Sequence, residues 1–507
     1  MLSINEKIVK KASLIGGLLI SSALLFFGDL APEHPEITKM AAVALLMAIW
    51  WISEAIPLAA TALVPVALFP LLGILSGKKT AALYFNNVIF LFIGGFIVAL
   101  AMQKWNLHKR IALKLILIIG LSPKRIVLGF MAATAFLSMW ISNTATTMMM
   151  VPIAAAIILK LEDNLSPQEV RNFSLALLLG IAYSASIGGL ATLIGTPPNL
   201  SFARIYSIYF PNAPEVTFAA WFAFALPLSI TFFVVVWTFL VSVFCRSATT
   251  HEIDKSILHE EYRKLGPAGF EEKVIFTVFL SMAFLWLTRK GINVGTFSLP
   301  GWSALVPEPK FIDDGTVAIF MALLLFIIPS RKDDGGRVMD WESAKDLPWG
   351  IVLLFGGGFA LAGGFKSSGL SMWVGNALAG AGALNPIVLV IIICLSVTFL
   401  TELTSNTATT EMILPILAGV AVAIKMNPLL LMIPATLSAS CAFMLPVATP
   451  PNAIVFGTGR IKIYEMARVG IILNLIGVIL ITVAIFTTGK VVFGIDPAVF
   501  PECCYKK

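Results

Sequence analysis

The polar phrase Ser142-Asn143-Thr144-Ala145-Thr146-Thr147 interrupts an apolar stretch, and the chain repeats it letter for letter at Ser405-Asn406-Thr407-Ala408-Thr409-Thr410. A second phrase follows each copy, Gly195-Thr196-Pro197-Pro198-Asn199 in the first half and Ala448-Thr449-Pro450-Pro451-Asn452 in the second. The sequence around the first phrase repeats at the same offset, about 263 positions. Two halves built on one plan, each with polar phrases inside apolar sequence, are typical of secondary transporters.

The composition predicts an all-α polytopic membrane protein. Hydrophobic residues make up 58% of the chain and charged residues 12%, whereas soluble domains carry roughly 25% charged residues. The net charge of +7 is attributed to Lys and Arg that flank membrane helices on the cytoplasmic side, as in plasma (inner) membrane proteins, and not to nucleic-acid binding. The cysteines show no metal-ligand spacing.

Apolar runs near the ~20 residues that cross a bilayer predict about 11 spanning helices. They lie near 12–29, 37–55, 57–75, 84–103, 172–194, 217–244, 273–290, 315–330, 348–365, 428–447 and 468–490. Two further segments, about 125–161 and about 386–425, are predicted as re-entrant hairpins with a Ser-Asn-Thr phrase at each tip. Non-helical backbone at membrane depth is tolerated only beside protein or a wet cavity, so the tips should face a site or each other.

Charge bias predicts the orientation of the two hairpins. Lys7, Lys10 and Lys11 favour a cytoplasmic N-terminus. The approach to the first hairpin is rich in Lys and Arg, whereas the approach to the second carries only Lys366. The first hairpin should therefore enter from the cytoplasm and the second from the opposite side, as an inverted repeat with an extracytoplasmic C-terminus.

The phrases offer neutral hydroxyl, amide and backbone groups. Oxygens at a helix break suit a dehydrated alkali cation, and N–H groups at helix N-termini suit a carboxylate. Because neither tip contains Lys or Arg, an anionic substrate would need co-bound cations. Glu402 and Glu411 bracket only the second phrase, so a contact at the hairpin rim or scaffold is expected for them rather than direct coupling.

With these motifs and the run from Ser440 to Asn452, the sequence resembles the divalent anion–sodium symporter family, specifically its sodium-dependent dicarboxylate carriers. The resemblance implies a homodimeric elevator with scaffold and transport domains. It implies that substrate contacts come from Ser142, Asn143, Thr144, Thr196, Pro197, Ser405, Asn406, Thr407, Thr449 and Pro450. It also implies one sodium among Ser138, Ser142, Asn143 and Gly195, and a second among Thr401, Thr404, Asn406 and Ala448.

Four regions are predicted along the chain. Residues 1–83 form N-terminal scaffold helices, and 84–245 form the first repeat core, with an unwound helix at 195–199. Residues 246–345 form a cytoplasmic linker and second-half scaffold helices. Residues 346–507 form the second repeat core, with an unwound helix at 448–452 and the last helix.

The predicted function is sodium-coupled import of C4 dicarboxylates such as succinate, malate and fumarate. A sodium-independent dicarboxylate exchanger and a citrate or sulfate carrier of the same fold stay open as alternatives. An ion channel is disfavoured, because a channel needs a continuous water-filled pore. Two hairpins that meet from opposite sides of the membrane would block such a pore. An enzyme is not expected, since the sequence offers no nucleophile–base pair.

Overall fold

The computed structural model describes residues 4–120, 122–162, 166–245, 256–294, 297–332 and 335–504. Helices of the first half are α1 Ile4–Phe27, α2 Pro35–Ser53, α3 Leu58–Thr61, α4 Val64–Leu72, α5 Gly77–Tyr84, α6 Asn87–Lys104, α7 Leu107–Ile119, α8 Pro123–Ser138, α9 Asn143–Glu162, α10 Pro167–Leu190, α11 Pro197–Tyr209 and α12 Phe218–Phe244.

Helices of the second half are α13 Ser256–Lys264, α14 Phe270–Thr288, α15 Asp314–Ile327, α16 Trp341–Ala344, α17 Trp349–Ser368, α18 Leu370–Ala377, α19 Pro386–Thr401, α20 Asn406–Ala423, α21 Pro428–Ala439, α22 Pro450–Phe456, α23 Ile463–Phe486 and α24 Thr488–Phe493. Short 3-10 helices cover Trp302–Leu305, Pro309–Phe311, Ala379–Ala383 and Glu502–Cys504. The described strands are β1 Ile292–Val294 and β2 Phe297–Leu299, which pair as a small antiparallel hairpin in the otherwise helical fold.

Nine helical stretches of the described chain are long and apolar enough to cross a membrane. They are Lys7–Phe27, Pro35–Ser53, Gly77–Lys104, Asn143–Glu162, Pro167–Leu190, Phe218–Phe244, Trp349–Ser368, Asn406–Ala423 and Ile463–Phe493. Shorter apolar helical stretches cover Leu58–Leu72, Asp314–Ile327, Pro386–Thr401 and Pro428–Ala439. This is the pattern of a multi-pass membrane protein.

The two predicted hairpins both fold as a helix, a short turn and a second helix. The first consists of α8 and α9, and the second of α19 and α20. Proline opens α8, α10, α19 and α21, a position where its missing N–H costs nothing. The second helices of the two hairpins have 20 and 18 residues. Each includes most of the polar phrase, because the helix begins at the asparagine of that phrase.

Most predicted helices differ from the structure by a few residues at their ends, and the helix expected over 57–75 is divided into α3 and α4. Two of the differences fall next to the Thr-Pro-Pro-Asn phrases. The helix expected over 428–447 ends at Ala439, and the chain from there to Thr449 is not helical. The helix expected over 172–194 instead runs over Pro167–Leu190. In both places an apolar stretch continues past the end of the helix, so local hydropathy does not mark the point where the helical hydrogen bonds stop.

Helix α10 lies at the centre of the first half. Every residue from Phe173 to Leu190 is buried, and α10 packs against α8, α9, α12 and α22. A helix buried on all sides needs no polar face, which explains its near-continuous small and apolar sequence. Because α22 belongs to the second half, α10 also joins the two halves.

The first part of the predicted linker, residues 246–273, joins the two halves and is called the joint here; its residues 246–255 lie outside the described residues. Its described part contains α13 and the start of α14. Both helices are tied to α7 by ion pairs, from Lys109 to Glu261 at 2.9 Å and from Arg110 to Glu272 at 3.0 Å. The joint is therefore held against the approach to the first hairpin.

Candidate functional site

Each of the four polar phrases stands at the start of a helix. Helix α9 begins at Asn143 and α20 at Asn406, while α11 and α22 begin at the first proline of their Thr-Pro-Pro-Asn phrases. The first turn of a helix has backbone N–H groups without partners in that helix, and it carries the positive end of the helix dipole. The phrases thus present backbone donors that suit an anion.

In the first half, oxygens converge on the glycine Gly189 of α10. The Ser138 hydroxyl donates to Oδ1 of Asn143. A Cβ placed on Gly189 would lie 2.9 Å from that Oδ1 and 3.0 Å from the carbonyl oxygen of Gly195. Only glycine leaves room for this arrangement. Three residues of the predicted first sodium set, Ser138, Asn143 and Gly195, therefore come together.

The fourth member of that set, Ser142, lies in the turn before α9. Its hydroxyl oxygen accepts a hydrogen bond from the Ala145 N–H at 3.2 Å, which caps the helix. The cap fixes the start of α9 and leaves the amide of the next residue, Asn143, directed toward Gly189. Ser142 thus acts on the site by holding the tip in place.

The second half repeats the hydroxyl-to-amide contact. The Thr401 hydroxyl lies 2.7 Å from Oδ1 of Asn406 and 2.9 Å from the carbonyl oxygen of Ala439. Thr401 and Asn406 are the counterparts of Ser138 and Asn143. Of the predicted second sodium set, these two are in contact.

The other two predicted ligands of the second sodium bond within their own segments. The Thr404 hydroxyl contacts Thr409 and donates to the Leu400 carbonyl at 2.9 Å. The Ala448 N–H donates to the Leu445 carbonyl at 3.2 Å. These bonds order the turn of the hairpin and the break before α22.

The asparagines that end the Thr-Pro-Pro-Asn phrases bind the carbonyls released at the helix breaks. The Asn199 amide donates to Gly189, Leu190 and Thr192 at 3.2, 3.3 and 2.8 Å. The Asn452 amide donates to Ala442 and Leu445, both at 3.0 Å. Sequence reasoning missed this role, although the fixed position of Asn after the two prolines was a usable signal.

Both of these asparagines leave a buried oxygen without a partner. Oδ1 of Asn199 and Oδ1 of Asn452 accept no hydrogen bond from the described residues, and both side chains are fully buried. An unpaired buried acceptor is costly. Such oxygens beside the breaks fit the chemistry of a bound cation.

Glu402 holds the non-helical segment of the second half. Its carboxylate accepts hydrogen bonds from the N–H groups of Phe443, Met444 and Leu445 at 2.7, 2.9 and 3.0 Å, and from the Asn474 amide at 2.7 Å. With four donors, this buried carboxylate has a structural role.

The halves pack crosswise around the phrases. Helix α9 of the first hairpin packs on α22 of the second half, and α20 of the second hairpin packs on α11 of the first. Each hairpin thus lies against the helix that follows the break of the other half. The second arm of each hairpin is therefore in contact with the opposite half of the chain.

The predicted substrate residues differ in exposure. Ser142, Asn143, Thr144, Ser405 and Asn406 are half-buried. Thr196, Thr407 and Thr449 are buried, and the Thr449 hydroxyl caps α22 by accepting from the Asn452 N–H. Of the two prolines, Pro197 is half-buried and Pro450 is exposed.

Comparison with known proteins places the sequence among those of membrane transporters. The family model for the sodium:sulfate symporter transmembrane region matches residues 23–495. The sodium-dependent dicarboxylate transporter SdcS of Staphylococcus saprophyticus is 44% identical over 491 residues, which cover 95% of this chain and 92% of that protein. The SdcS of Staphylococcus aureus strain NCTC 8325 is 44% identical over 498 residues, with the same coverage of both chains.

Two solved structures share the fold at low sequence identity. The YdaH transporter of Alcanivorax borkumensis superposes with a TM-score of 0.57 at 13% identity, over 82% of this chain and 87% of that one. MtrF of Neisseria gonorrhoeae, from a class of antimetabolite efflux pumps, gives a TM-score of 0.52 at 14% identity, over 80% and 82%. These likenesses concern the architecture alone.

Proposed function

The chain belongs to the family of the sodium:sulfate symporter transmembrane region, and from that membership we propose that it is a secondary active symporter that imports C4 dicarboxylates together with sodium. The relatives at 44% identity are named sodium-dependent dicarboxylate transporters. Succinate, malate and fumarate are the proposed substrates.

The observation that carries the proposal is the duplicated oxygen cluster. A hydroxyl meets the amide of Asn143 in one half and of Asn406 in the other, and Gly189 leaves room for a third oxygen. None of the four phrases contains a charged residue. A dianion would therefore enter this centre only together with cations.

We assign the substrate carboxylates to the starts of the two hairpin helices. Ser142, Asn143 and Thr144 would hold one carboxylate, and Ser405, Asn406 and Thr407 the other. Thr196-Pro197 and Thr449-Pro450 would line the same pocket. The free N–H groups and dipoles at the starts of α9 and α20 would favour a negative charge there.

Each half would hold one sodium ion. The first would bind among Ser138, Ser142, Asn143 and Gly195, and the second among Thr401, Thr404, Asn406 and Ala448. Two sodium ions balance a dianion. Each further positive charge that moves inward gains about 2.3 kcal/mol per 100 mV of membrane potential.

The proposed mechanism is an elevator in a homodimer. The regions 84–245 and 346–507 would supply the moving hairpins and broken helices, while 1–83 and the helices of 246–345 would supply the scaffold. The N-terminus would lie in the cytoplasm and the C-terminus outside, with the hairpins entering from opposite faces. The repetition of hairpin, break and crosswise packing in both halves supports this arrangement.

Uptake of radiolabelled succinate into proteoliposomes tests the proposal. An inward sodium gradient should drive uptake, and Asn143→Ala and Asn406→Ala should each reduce it at least about tenfold, a loss of about 1.4 kcal/mol or more of binding. Asn172→Ala is the matched control, since the hydrogen bond that the described residues give the Asn172 side chain is one from Gln168 on an exposed surface. Normal uptake by both site variants would refute the proposed site.

The same vesicles separate the alternatives. A sodium-independent exchanger would take up succinate only against preloaded dicarboxylate, whatever the sodium gradient. Competition by citrate or sulfate but not by malate would identify the carrier of another anion. Either result would replace the proposed substrate or coupling.

A further inference from the structure

Glu411 lies on α20 directly after the second Ser-Asn-Thr phrase, and its side chain is fully buried. Its Oε1 is hydrogen-bonded to the hydroxyl of Ser201 on α11. Its Oε2 has no hydrogen-bond partner among the described residues. A carboxyl group thus lies between the two halves of the molecule with a single neutral partner.

The space for this carboxyl is created by a third helix. A Cβ on Gly358 of α17 would overlap the carboxyl group of Glu411. Glycine at this position therefore makes room for the acid between α11, α17 and α20. The surrounding helices accommodate the carboxyl group in a defined space.

No countercharge reaches Glu411 from the helices packed against α20, which are α2, α11, α17, α18, α19 and α21. Their charged or titratable side chains are Glu36 and Lys39 on α2, Arg204, Tyr206 and Tyr209 on α11, Lys366 on α17 and Cys394 on α19. Within the described chain, the only side chain that is hydrogen-bonded to the carboxyl group of Glu411 is Ser201.

The equivalent position of the first half carries no acid and is not buried. The counterpart of Glu411 is Met148, which is 61% exposed. The counterpart of Ser201 is Ile454. The chain therefore places a carboxyl group at the buried one of two equivalent positions, where burying an ionised acid is most unfavourable.

From this geometry we propose that Glu411 is a third cation-binding site, filled by a monovalent cation, either a proton or sodium, while α20 is closed against α11. The inference rests on the proposed symport and extends it. The carboxyl group and its cation carry no net charge together as long as the two helices are in contact. It gives up the cation when α20 leaves α11 and water can solvate the charge.

The proposal fixes the charge moved in each cycle. Two sodium ions and a dianion are neutral together, so the cation on Glu411 makes inward transport electrogenic. Replacement by glutamine keeps the size of the side chain and its bond with Ser201 but removes the ionisable group. Glu411→Gln should therefore retain sodium-driven uptake while moving no net charge.

The test measures net charge per succinate in proteoliposomes, from the membrane potential at which a fixed sodium gradient produces no net flux. Wild type should move one positive charge per succinate and Glu411→Gln none. If sodium fills the site, the variant couples one sodium ion fewer. If a proton fills it, both proteins couple the same sodium, and an inward proton gradient speeds only wild-type uptake.

Met148→Gln is the matched control, because it places the same amide at the equivalent position of the first half and should keep the wild-type charge. Should Glu411→Gln fail to give a folded protein, Glu411→Met introduces the residue that the first half carries there. Equal charge per succinate in wild type and variant would overturn the proposal. Absence of sodium-driven uptake in wild type would instead refute the proposed symport.

Discussion

The contact between a hydroxyl and an asparagine amide is the smallest unit that both halves share. The family resemblance implied that Ser138 and Asn143 share one sodium and that Thr401 and Asn406 share another, and both halves keep the hydroxyl and the asparagine. Duplication thus identifies the polar side chains that both halves have kept. It does not reveal Gly189, whose role depends on a close approach in space.

Gly189→Ala tests the oxygen cluster of the first half. The added Cβ would lie 2.9 Å from Oδ1 of Asn143 and 3.0 Å from the Gly195 carbonyl, so the oxygens must move apart. We expect the sodium concentration for half-maximal succinate uptake to rise about tenfold, equivalent to about 1.4 kcal/mol.

Gly16→Ala serves as the control for Gly189→Ala, because nothing lies within 4 Å of a Cβ on that glycine of α1. Sodium titration of uptake compares the two variants with wild type. An unchanged sodium dependence in Gly189→Ala would mean that the cation does not bind among these oxygens.

At the scale of helices, the apolar runs predicted an all-helical membrane protein, whereas α7, α18 and the ends of most helices were not predicted. The end of α21 at Ala439 depends on Glu402, which binds the N–H groups of Phe443 to Leu445 from another helix. A hydropathy pattern cannot report a partner about 40 residues away in the chain. The boundary was therefore out of reach of local sequence reasoning.

The packing of α8 on α10 depends on Gly188. A Cβ there would lie 2.2 Å from the carbonyl oxygen and 2.6 Å from Cα of Ala135, and backbone atoms cannot move aside cheaply. Gly188→Ala should destabilise the protein by about 1–3 kcal/mol, the usual cost of overpacking, and lower its melting temperature in detergent. Gly380→Ala is the control, since its Cβ meets no neighbour within 4 Å. Equal melting temperatures for the two variants would contradict this account.

At the scale of the whole molecule, composition and repetition established a membrane protein in two related halves. The crosswise docking of each hairpin on the other half's broken helix was not foreseen, because it depends on pairs distant in sequence. Nor did the sequence predict the ion pairs that tie α7 to α13 and α14. Charged residues in this region are too numerous for sequence alone to select the partners.

The contribution of the Lys109–Glu261 ion pair to stability depends on pH in a defined way. Hydrogen bonds from Lys109 and Lys264 lower the pKa of Glu261 to about 2, below the value near 4.3 of an unfolded chain. The stabilisation is therefore complete above about pH 5 and is lost as the pH falls toward 2. Glu261→Gln should cost no more than about 1 kcal/mol, equally at pH 5.5 and pH 8.

Thermal unfolding of wild type and Glu261→Gln at both pH values checks this. A difference in melting temperature that grows between pH 5.5 and pH 8 would contradict it. If the difference is constant, any pH response of uptake in this range must originate elsewhere in the molecule, and Glu411 becomes the residue to examine.

The crosswise packing has an evolutionary consequence. Helix α9 packs on α22 and α20 packs on α11, so each half packs its hairpin against a helix of the other half. An ancestor of half the length would have lacked that packing surface. On the proposed inverted topology, such an ancestor would have functioned only as two identical chains inserted in opposite directions. Fusion of the two genes would have fixed the two directions and allowed each copy to change alone, as positions Met148 and Glu411 now differ.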